Sequence, residues 1–205
     1  MPWRLLEEAV KPRRGVRPSY TLLHVFRALL ILYREGPVGR RRLARMLGLG
    51  ETAARTLVRR LVELGLASRD RAQGCYLTRL GFEVAASISR RIPRIADATG
   101  VLGPDLALDR CAYAGLLSGV RLTGDWMRLR DLFVRRGATA AVIAVCGVDG
   151  RLRIPLGGGE EEYPSLGRLR GLLSPRPGDY VVVVYAPSRR EAEEALVEGL
   201  LELAG

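Results

Sequence analysis

Apolar residues recur at helical spacing in residues 51–64, and the positions between them are rich in arginine and threonine. This period places the apolar side chains on one face of a helix and most of the polar ones on the rest of its surface. Gly65 follows the last apolar turn, where a helix commonly ends in a left-handed conformation. The apolar face consists of Ala54, Leu57, Val58 and Leu61.

A shorter apolar face lies just upstream and comprises Leu43, Ala44 and Leu47. Residues 48–50, Gly-Leu-Gly, separate the two helices by a turn of the length used in helix-turn-helix units. A strongly apolar helix over residues 21–34 precedes both, and we expect it to be the first core helix of this half. The pattern therefore predicts a small helical domain with two closely connected helices at its centre.

A strand-turn-strand pattern follows the second of these helices. Residues 66–69 and 75–77 read as strands, and the charged, turn-rich residues 70–74 lie between them. Thr78 is a good N-cap for a further helix. That helix should end by Arg91, because the residue before Pro93 disfavours helical geometry.

Together, the helix pair, its Gly-Leu-Gly turn and the hairpin resemble the winged helix-turn-helix family over residues 21–91. The resemblance implies that the helix over residues 51–64 enters the major groove of DNA by its N-terminal part. It also implies that the hairpin is a wing that lies along a backbone or in a minor groove. The run 40–42 lies where the preceding helix would cross a backbone. The DNA contacts that we expect are Arg40, Arg41, Arg42, Thr52, Arg55, Thr56, Arg59, Arg60, Arg69 and Arg71.

In the second half, strand-like and helix-like segments alternate. Residues 179–185 form the clearest strand, apolar on both faces and therefore expected at the centre of a sheet. The order β(β)αββαβα indicates a mixed sheet with helices on one or both faces. Residues 93–104, with two prolines and two glycines, are predicted to link the halves. The predicted fold is α+β, with a winged helix-turn-helix domain over 1–92, a linker over 93–104, and a mixed α/β domain over 105–205.

Positive charge is concentrated in the first half. The chain has a formal charge of +11; residues 1–100 contain 20 basic and eight acidic residues, whereas residues 101–205 contain 13 and 14. The excess therefore accompanies the helix-turn-helix pattern, and a polyanion bound there gains from counterion release. Residues 11–18 form a proline-punctuated basic arm, which is either a contact to DNA or a solvated linker.

The residues that catalysis or metal binding would require are scarce. His24 is the only histidine, and Cys75, Cys111 and Cys146 are too far apart in sequence to suggest a zinc site, although a disulfide between Cys111 and Cys146 stays open. Residues 157–159 are glycines, but three glutamates follow them and would repel phosphate. We therefore expect no enzymatic activity, no cofactor and no metal.

Composition also bears on the source and the compartment of the protein. There are 32 arginines but one lysine, no asparagine and one glutamine, which is typical of a thermophile or of a GC-rich genome. No run of 18 apolar residues predicts a membrane span, and the N-terminus lacks the apolar core of a signal peptide. These features favour a cytoplasmic protein.

The layout over most of the chain resembles a group of archaeal two-domain proteins with an N-terminal winged helix and a C-terminal α/β domain of unassigned role. The resemblance implies a transcriptional regulator that binds double-stranded DNA, with the C-terminal domain serving dimerisation, the sensing of a small-molecule effector, or both. Homodimers are expected because one winged helix covers only a short half-site. Two alternatives stay open, a sequence-independent nucleic-acid or chromatin protein and an adaptor whose winged helix binds protein.

Overall fold

The chain, described from a computed structural model over residues 3–12, 15, 17–70, 72–123, 125–155 and 157–205, is a mixed α+β protein. These residues form eight helices and two antiparallel sheets, which confirms the predicted α+β class. The chain divides into two compact units between Ser89 and Arg90, and Gly205 belongs with the first unit.

The first unit contains four helices followed by a hairpin. The hairpin leads into a fifth helix, which runs across the division between the units. The elements are α1 Trp3–Val10, α2 Leu22–Glu35, α3 Arg40–Leu47, α4 Glu51–Glu63, β1 Ala67–Asp70, β2 Gly74–Leu77 and α5 Arg79–Arg91.

Leucines from each of the first four helices fill the core of this unit. The completely buried ones are Leu6, Leu29, Leu43, Leu57 and Leu61, and Leu66, which follows α4, is completely buried with them. The apolar face predicted for α4 is buried as a whole, since Ala54 and Val58 are also at most 3% exposed. Burial of this face orients the opposite side of α4, which carries Thr52, Arg55 and Arg59, toward solvent.

Residues 48–50 form the short turn between α3 and α4, as the sequence predicts. Gly48 adopts a left-handed conformation with φ of 66°, which glycine reaches without steric cost. The N–H of Leu49 then donates to the carbonyl of Ala44 at 3.0 Å and closes the end of α3. Gly50 is extended and caps α4, so the next helix starts within two residues.

The hairpin pairs β1 with β2 in antiparallel register, with Ala67 opposite Leu77 and Asp70 opposite Gly74. Thr78 caps α5 as predicted, because its Oγ accepts a hydrogen bond from the N–H of Gly81 at 3.1 Å. A Cβ on Gly81 would lie 1.8 Å from the carbonyl oxygen of Leu66. The glycine thus allows α5 to approach the start of the hairpin closely.

The second unit is built on one five-stranded sheet with the order β3-β4-β7-β5-β6. Strand β7 is central and apolar on both faces, which confirms the prediction for residues 179–185. The elements are β3 Arg94–Asp97, β4 Cys111–Leu117, α6 Trp126–Arg135, β5 Ala140–Cys146, β6 Leu152–Arg153, α7 Pro164–Leu173, β7 Tyr180–Ala186 and α8 Arg189–Leu203.

Two predictions for this half were wrong. Residues 93–104, expected to be a linker, contain β3, which pairs with β4 at the edge of the sheet. Pro93 precedes this strand and Gly100 follows it closely, so the four-residue strand was taken for part of a proline- and glycine-rich linker. Every strand pair among the described residues is antiparallel, so the sheet is not mixed. Apolar alternation indicates which faces are covered but not the direction of neighbouring strands.

Helices cover both faces of this sheet. On one face, Leu166, Leu169 and Leu173 of α7 pack in a cluster with side chains from β4, β5 and β7. On the other face, α8 packs on β4 and β7, and α6 packs on β5. Two layers of helix therefore enclose the central strand, which explains why β7 is apolar along its full length.

Candidate functional site

A cleft of about 900 Å³ lies in the first unit between the N-terminal end of α3, the helix α4 and the hairpin. Asp70, Gln73 and Cys75 contribute to its wall, but most of its charged lining is arginine. We call it the arginine cleft and define it by Arg40, Arg41, Arg42, Arg45, Arg55 and Arg69.

A short strand interaction fixes the two sides of the cleft relative to each other. The N–H of Val38 donates to the carbonyl of Cys75 at 2.8 Å, and the N–H of Cys75 donates to the carbonyl of Val38 at 2.9 Å. Gly74 allows this approach, since a Cβ there would lie 2.6 Å from the carbonyl oxygen of Val38. The start of α3, with its three arginines, is thereby held against the hairpin.

The tip of the hairpin is closed by its own aspartate. One carboxylate oxygen of Asp70 accepts hydrogen bonds from the N–H groups of Ala72 and Gln73, at 2.7 and 2.8 Å. Such a turn satisfies backbone donors locally. Arg69, one residue before it, is exposed and lines the cleft.

Only part of the positive charge in the arginine cleft is neutralised within the protein. Arg42 pairs with Glu35 at 2.6 Å, and Arg41 lies 3.5 Å from Glu51. In the part of the chain that the structure describes, Arg40, Arg45 and Arg55 have no hydrogen-bond or ion-pair partner for their side chains. Like charges gathered in one cleft repel one another, so an anionic ligand would relieve a cost that is present in the free protein.

The thiol of Cys75 lies on the floor of the same cleft and is only 3% exposed. Burial raises the pKa of Cys75 to about 11, and the nearby positive charge of Arg69 opposes this shift only partly. The thiol is therefore protonated at neutral pH and unsuited to act as a nucleophile. All three cysteines are free; Cys111 and Cys146 do not form a disulfide.

Helix α4 carries the remaining residues predicted to contact DNA. Thr52 and Arg55 are exposed, and the hydroxyl of Thr56 donates to the carbonyl of Thr52 at 3.1 Å. Arg59 is exposed and lies 4.0 Å from Glu63. These four side chains share the solvent-facing side of the helix, and Arg55 alone among them reaches the arginine cleft.

The prediction that Arg60 contacts DNA was wrong. Arg60 is 8% exposed, and its guanidinium donates to the carbonyls of Glu8, Ala9 and Lys11. It therefore holds the end of α1 against α4. Its guanidinium is buried, whereas that of Arg59 is exposed to solvent. Arg71, also predicted as a contact, lies outside the described residues.

The sequence interpretation also missed one member of the cleft. Arg45 lies four residues after Arg41, which places both side chains on the same side of α3. This spacing was available in the sequence. The bridge between Val38 and Cys75 was not, because a single residue on each side is too short to form a recognisable strand pattern.

Two other features are absent within the described ranges. No group of three or more histidine, cysteine, aspartate or glutamate residues there is arranged to hold a metal ion. None of the helices described has the length and apolar character needed to cross a membrane.

Comparison with known proteins adds information on fold but none on activity. Residues 110–203, within the second unit, match a family described as a domain of unknown function (DUF4443). No curated protein matches the chain. Among solved structures, hypothetical protein PH0730 from Pyrococcus horikoshii OT3 is similar with a TM-score of 0.62 and 22% identity, over 90% of this chain and 93% of that one. The chain therefore shares its overall fold with an archaeal protein, and less than half of it, residues 110–203, resembles a family without an assigned role.

Proposed function

We propose that the protein is a DNA-binding transcription regulator whose helices α2 to α5 and β1–β2 hairpin act as a winged helix-turn-helix domain. The observation that carries this proposal is the arginine cleft, in which six arginines converge and several lack an internal partner. A duplex supplies regularly spaced negative charges to such a surface, and the release of its counterions favours binding.

In this proposal, α4 enters the major groove and the arginine cleft follows a neighbouring backbone. Thr52 and Arg55 extend from the exposed face near the start of α4, the part that reads base edges in helix-turn-helix proteins. Arginine can contact guanine O6 and N7 together in the major groove. Arg40, Arg41 and Arg42 at the start of α3, together with Arg69 on the hairpin, provide contacts to phosphate.

The same observation favours DNA over a protein partner for this surface. Protein interfaces are usually depleted in charged residues at their centre, whereas the cleft contains arginine on every side. The exposed threonine and arginine side chains on α4 favour a sequence-reading regulator over a binder that uses charge alone. The second unit, with a nearly neutral charge, serves dimerisation or effector sensing in this proposal.

A titration of the full-length protein with duplex DNA at several salt concentrations tests the proposal. Duplexes selected from fragmented genomic DNA are compared with random duplexes of the same length. We expect binding to both, with at least about a thousandfold preference for the selected sequences, as for other specific DNA-binding proteins. Arg69→Ala should weaken both by a similar factor and lower the salt slope by about one phosphate contact.

The alternative roles give different results in the same experiment. Equal affinity for selected and random duplexes would indicate a sequence-independent nucleic-acid protein. No binding at low salt would exclude both DNA-binding roles and leave a protein-interaction adaptor. Exposed Arg34, near the end of α2 and outside the arginine cleft, gives the matched control Arg34→Ala, which should leave the preference and the slope unchanged.

A further inference from the structure

A second cleft, of about 260 Å³, lies beside α4 on the other flank of its exposed face. Its lining includes Thr56 and Arg59 of α4, whereas Arg55 and Val58 face the arginine cleft. At 100° per residue, these two pairs point to different sides of the helix. We call this second cleft the arm cleft and define it by Lys11, Arg17, Ser19, Tyr20, Thr56 and Arg59; Pro18, Arg60 and one acidic residue, Glu63, also line it.

The floor of the arm cleft is held by buried hydrogen bonds. Arg60 donates to three carbonyls at the end of α1, the shortest bond being 3.0 Å to Lys11. The hydroxyl of Tyr20, a residue that is 4% exposed, donates to the carbonyl of Ala9 at 3.0 Å. Helix α4, through Arg60, and the segment before α2, through Tyr20, are therefore both attached to the end of α1, which positions Lys11 beside α4.

The cations of the arm cleft are exposed above this floor. Arg17 has no hydrogen-bond or ion-pair partner within the described ranges, and Arg59 is only at the limit of an ion pair with Glu63, at 4.0 Å. Lys11 pairs with Glu8 at 2.5 Å, but its side chain is 63% exposed. Exposed ion pairs of this kind contribute little to stability, so their exchange for a phosphate costs little.

We propose that the arm cleft binds a phosphodiester backbone, so that α4 lies between two backbones that border one major groove. This inference rests on the proposed function and adds a second contact surface to it. A major groove about 12 Å wide is bounded by one backbone on each side. The arginine cleft lies on one side of the exposed face of α4 and the arm cleft on the other, as this arrangement requires.

Removal of the two arm cations tests the inference in the full-length protein. We compare the double variant Lys11→Ala/Arg17→Ala with the wild type on one duplex between 50 and 200 mM salt. The loss of two phosphate contacts should reduce the salt slope by about 1.8. Raising the salt concentration from 50 to 200 mM should therefore weaken binding by the variant about tenfold less than binding by the wild type. Arg4→Ala/Arg34→Ala is the matched control, since both residues are exposed and line neither cleft.

A phosphate-ethylation interference experiment then locates the contacts. The wild type should show sensitive phosphates on both strands across one major groove, and the arm variant should lose those of one side only. Arg17→Lys should retain the wild-type slope, because lysine can also neutralise a phosphate. If circular dichroism shows that the double variant is unfolded, the single variant Arg17→Ala, which removes one exposed side chain, should still lower the slope by about 0.9, and an unchanged slope would overturn the inference.

The outcomes separate this inference from the proposed function. If the wild type binds duplex DNA but the arm variant keeps its slope and its interference pattern, the arm cleft does not bind a backbone and the proposed function stands. If the wild type binds no duplex at low salt, both are wrong. A slope that falls equally in the Arg4→Ala/Arg34→Ala control would indicate general charge and would also overturn the arm cleft.

Discussion

Arg60 and Lys11 lie 49 positions apart in the chain, and Nη2 of Arg60 donates a hydrogen bond to the carbonyl of Lys11 at 3.0 Å. The same guanidinium donates to the carbonyls of Glu8 and Ala9, at 3.4 Å each. The last carbonyls of a helix have no partner within the helix. Arg60 supplies partners to those of α1 and so connects the N-terminal helix to α4.

We expect Arg60→Met to destabilise the protein. Methionine keeps much of the side-chain volume but removes all three of these hydrogen bonds. The carbonyls of Ala9 and Glu8 keep the donors Tyr20 and the N–H of Lys11, whereas the carbonyl of Lys11 is left without a donor among the described residues. We therefore expect a loss of about 1–3 kcal/mol in the free energy of unfolding. Urea denaturation measures this loss. Arg59→Met is the control, because an exposed surface substitution usually changes stability by less than about 0.5 kcal/mol. Equal stability of the two variants would contradict the structural role of Arg60.

The sequence pattern of α4 predicts its buried face but not the direction of the Arg60 side chain. The apolar period correctly placed Ala54, Leu57, Val58 and Leu61 in the core. Arg60 borders that apolar face on the helix, and an arginine there can point either to solvent or along the protein surface. Its direction depends on α1, which is more than 45 residues away in the chain. A local pattern contains no information on such a contact.

The site itself was predictable to a similar degree. The glycine turn, the hairpin and the basic start of α3 all follow from local rules for helix ends and turns, and they bring Arg40, Arg55 and Arg69 to one cleft. The convergence depends on the bridge between Val38 and Cys75, which no sequence pattern indicates. In the second unit, β3 was missed because only four residues separate turn-forming segments.

Arg55 should read a base, whereas Arg69 should contact only the backbone. We expect Arg55→Ala to cost about 1–3 kcal/mol in binding, and mainly at one base-pair position, because a lost bidentate contact to guanine removes discrimination there. Titrations against single-base variants of a selected duplex measure this. Arg69→Ala is the comparison and should weaken all variants alike. A uniform loss for Arg55→Ala would remove its proposed base-reading role.

Asp105 should make the stability of the second unit dependent on pH. Burial opposes ionisation of this carboxylate, but hydrogen bonds from the N–H and the Oγ of Ser165, both at 2.8 Å, hold its pKa below the usual range. Since the folded state has the lower pKa, the ionised group stabilises the fold above the unfolded value, near pH 4. This contribution is lost as the pH falls through the folded pKa.

We therefore expect Asp105→Asn to lower the free energy of unfolding by about 1–3 kcal/mol at pH 7. The difference from the wild type should begin to shrink below about pH 4, where the carboxylate of the unfolded wild type takes up a proton, and should be smallest below the lower folded pKa. Urea denaturation at a series of pH values measures both. Asp131→Asn, at an exposed position of α6, is the control. A difference that stays constant down to pH 2 would indicate that ionisation of Asp105 is not involved.

The last prediction assigns DNA binding to the first unit and dimerisation to the second. Helix α5 ends at Arg91 and β3 begins at Arg94, so a fragment of residues 1–92 keeps both clefts and leaves out the whole five-stranded sheet. It also retains the charge excess of the first half. We expect this fragment to bind duplex DNA, but more weakly than the full-length chain and with less dependence on the spacing between paired half-sites.

The physical reason is effective concentration. If the second unit holds two copies together, binding of one first unit to DNA brings the other close to its half-site, and affinity rises without any new contact. A fragment without this connection binds each half-site independently. Titrations of both proteins on single and paired half-sites, with sedimentation to assign their oligomeric states, measure the effect. Equal affinity on paired half-sites would exclude dimerisation as the role of the second unit and leave effector sensing as the proposal for that sheet and its helices.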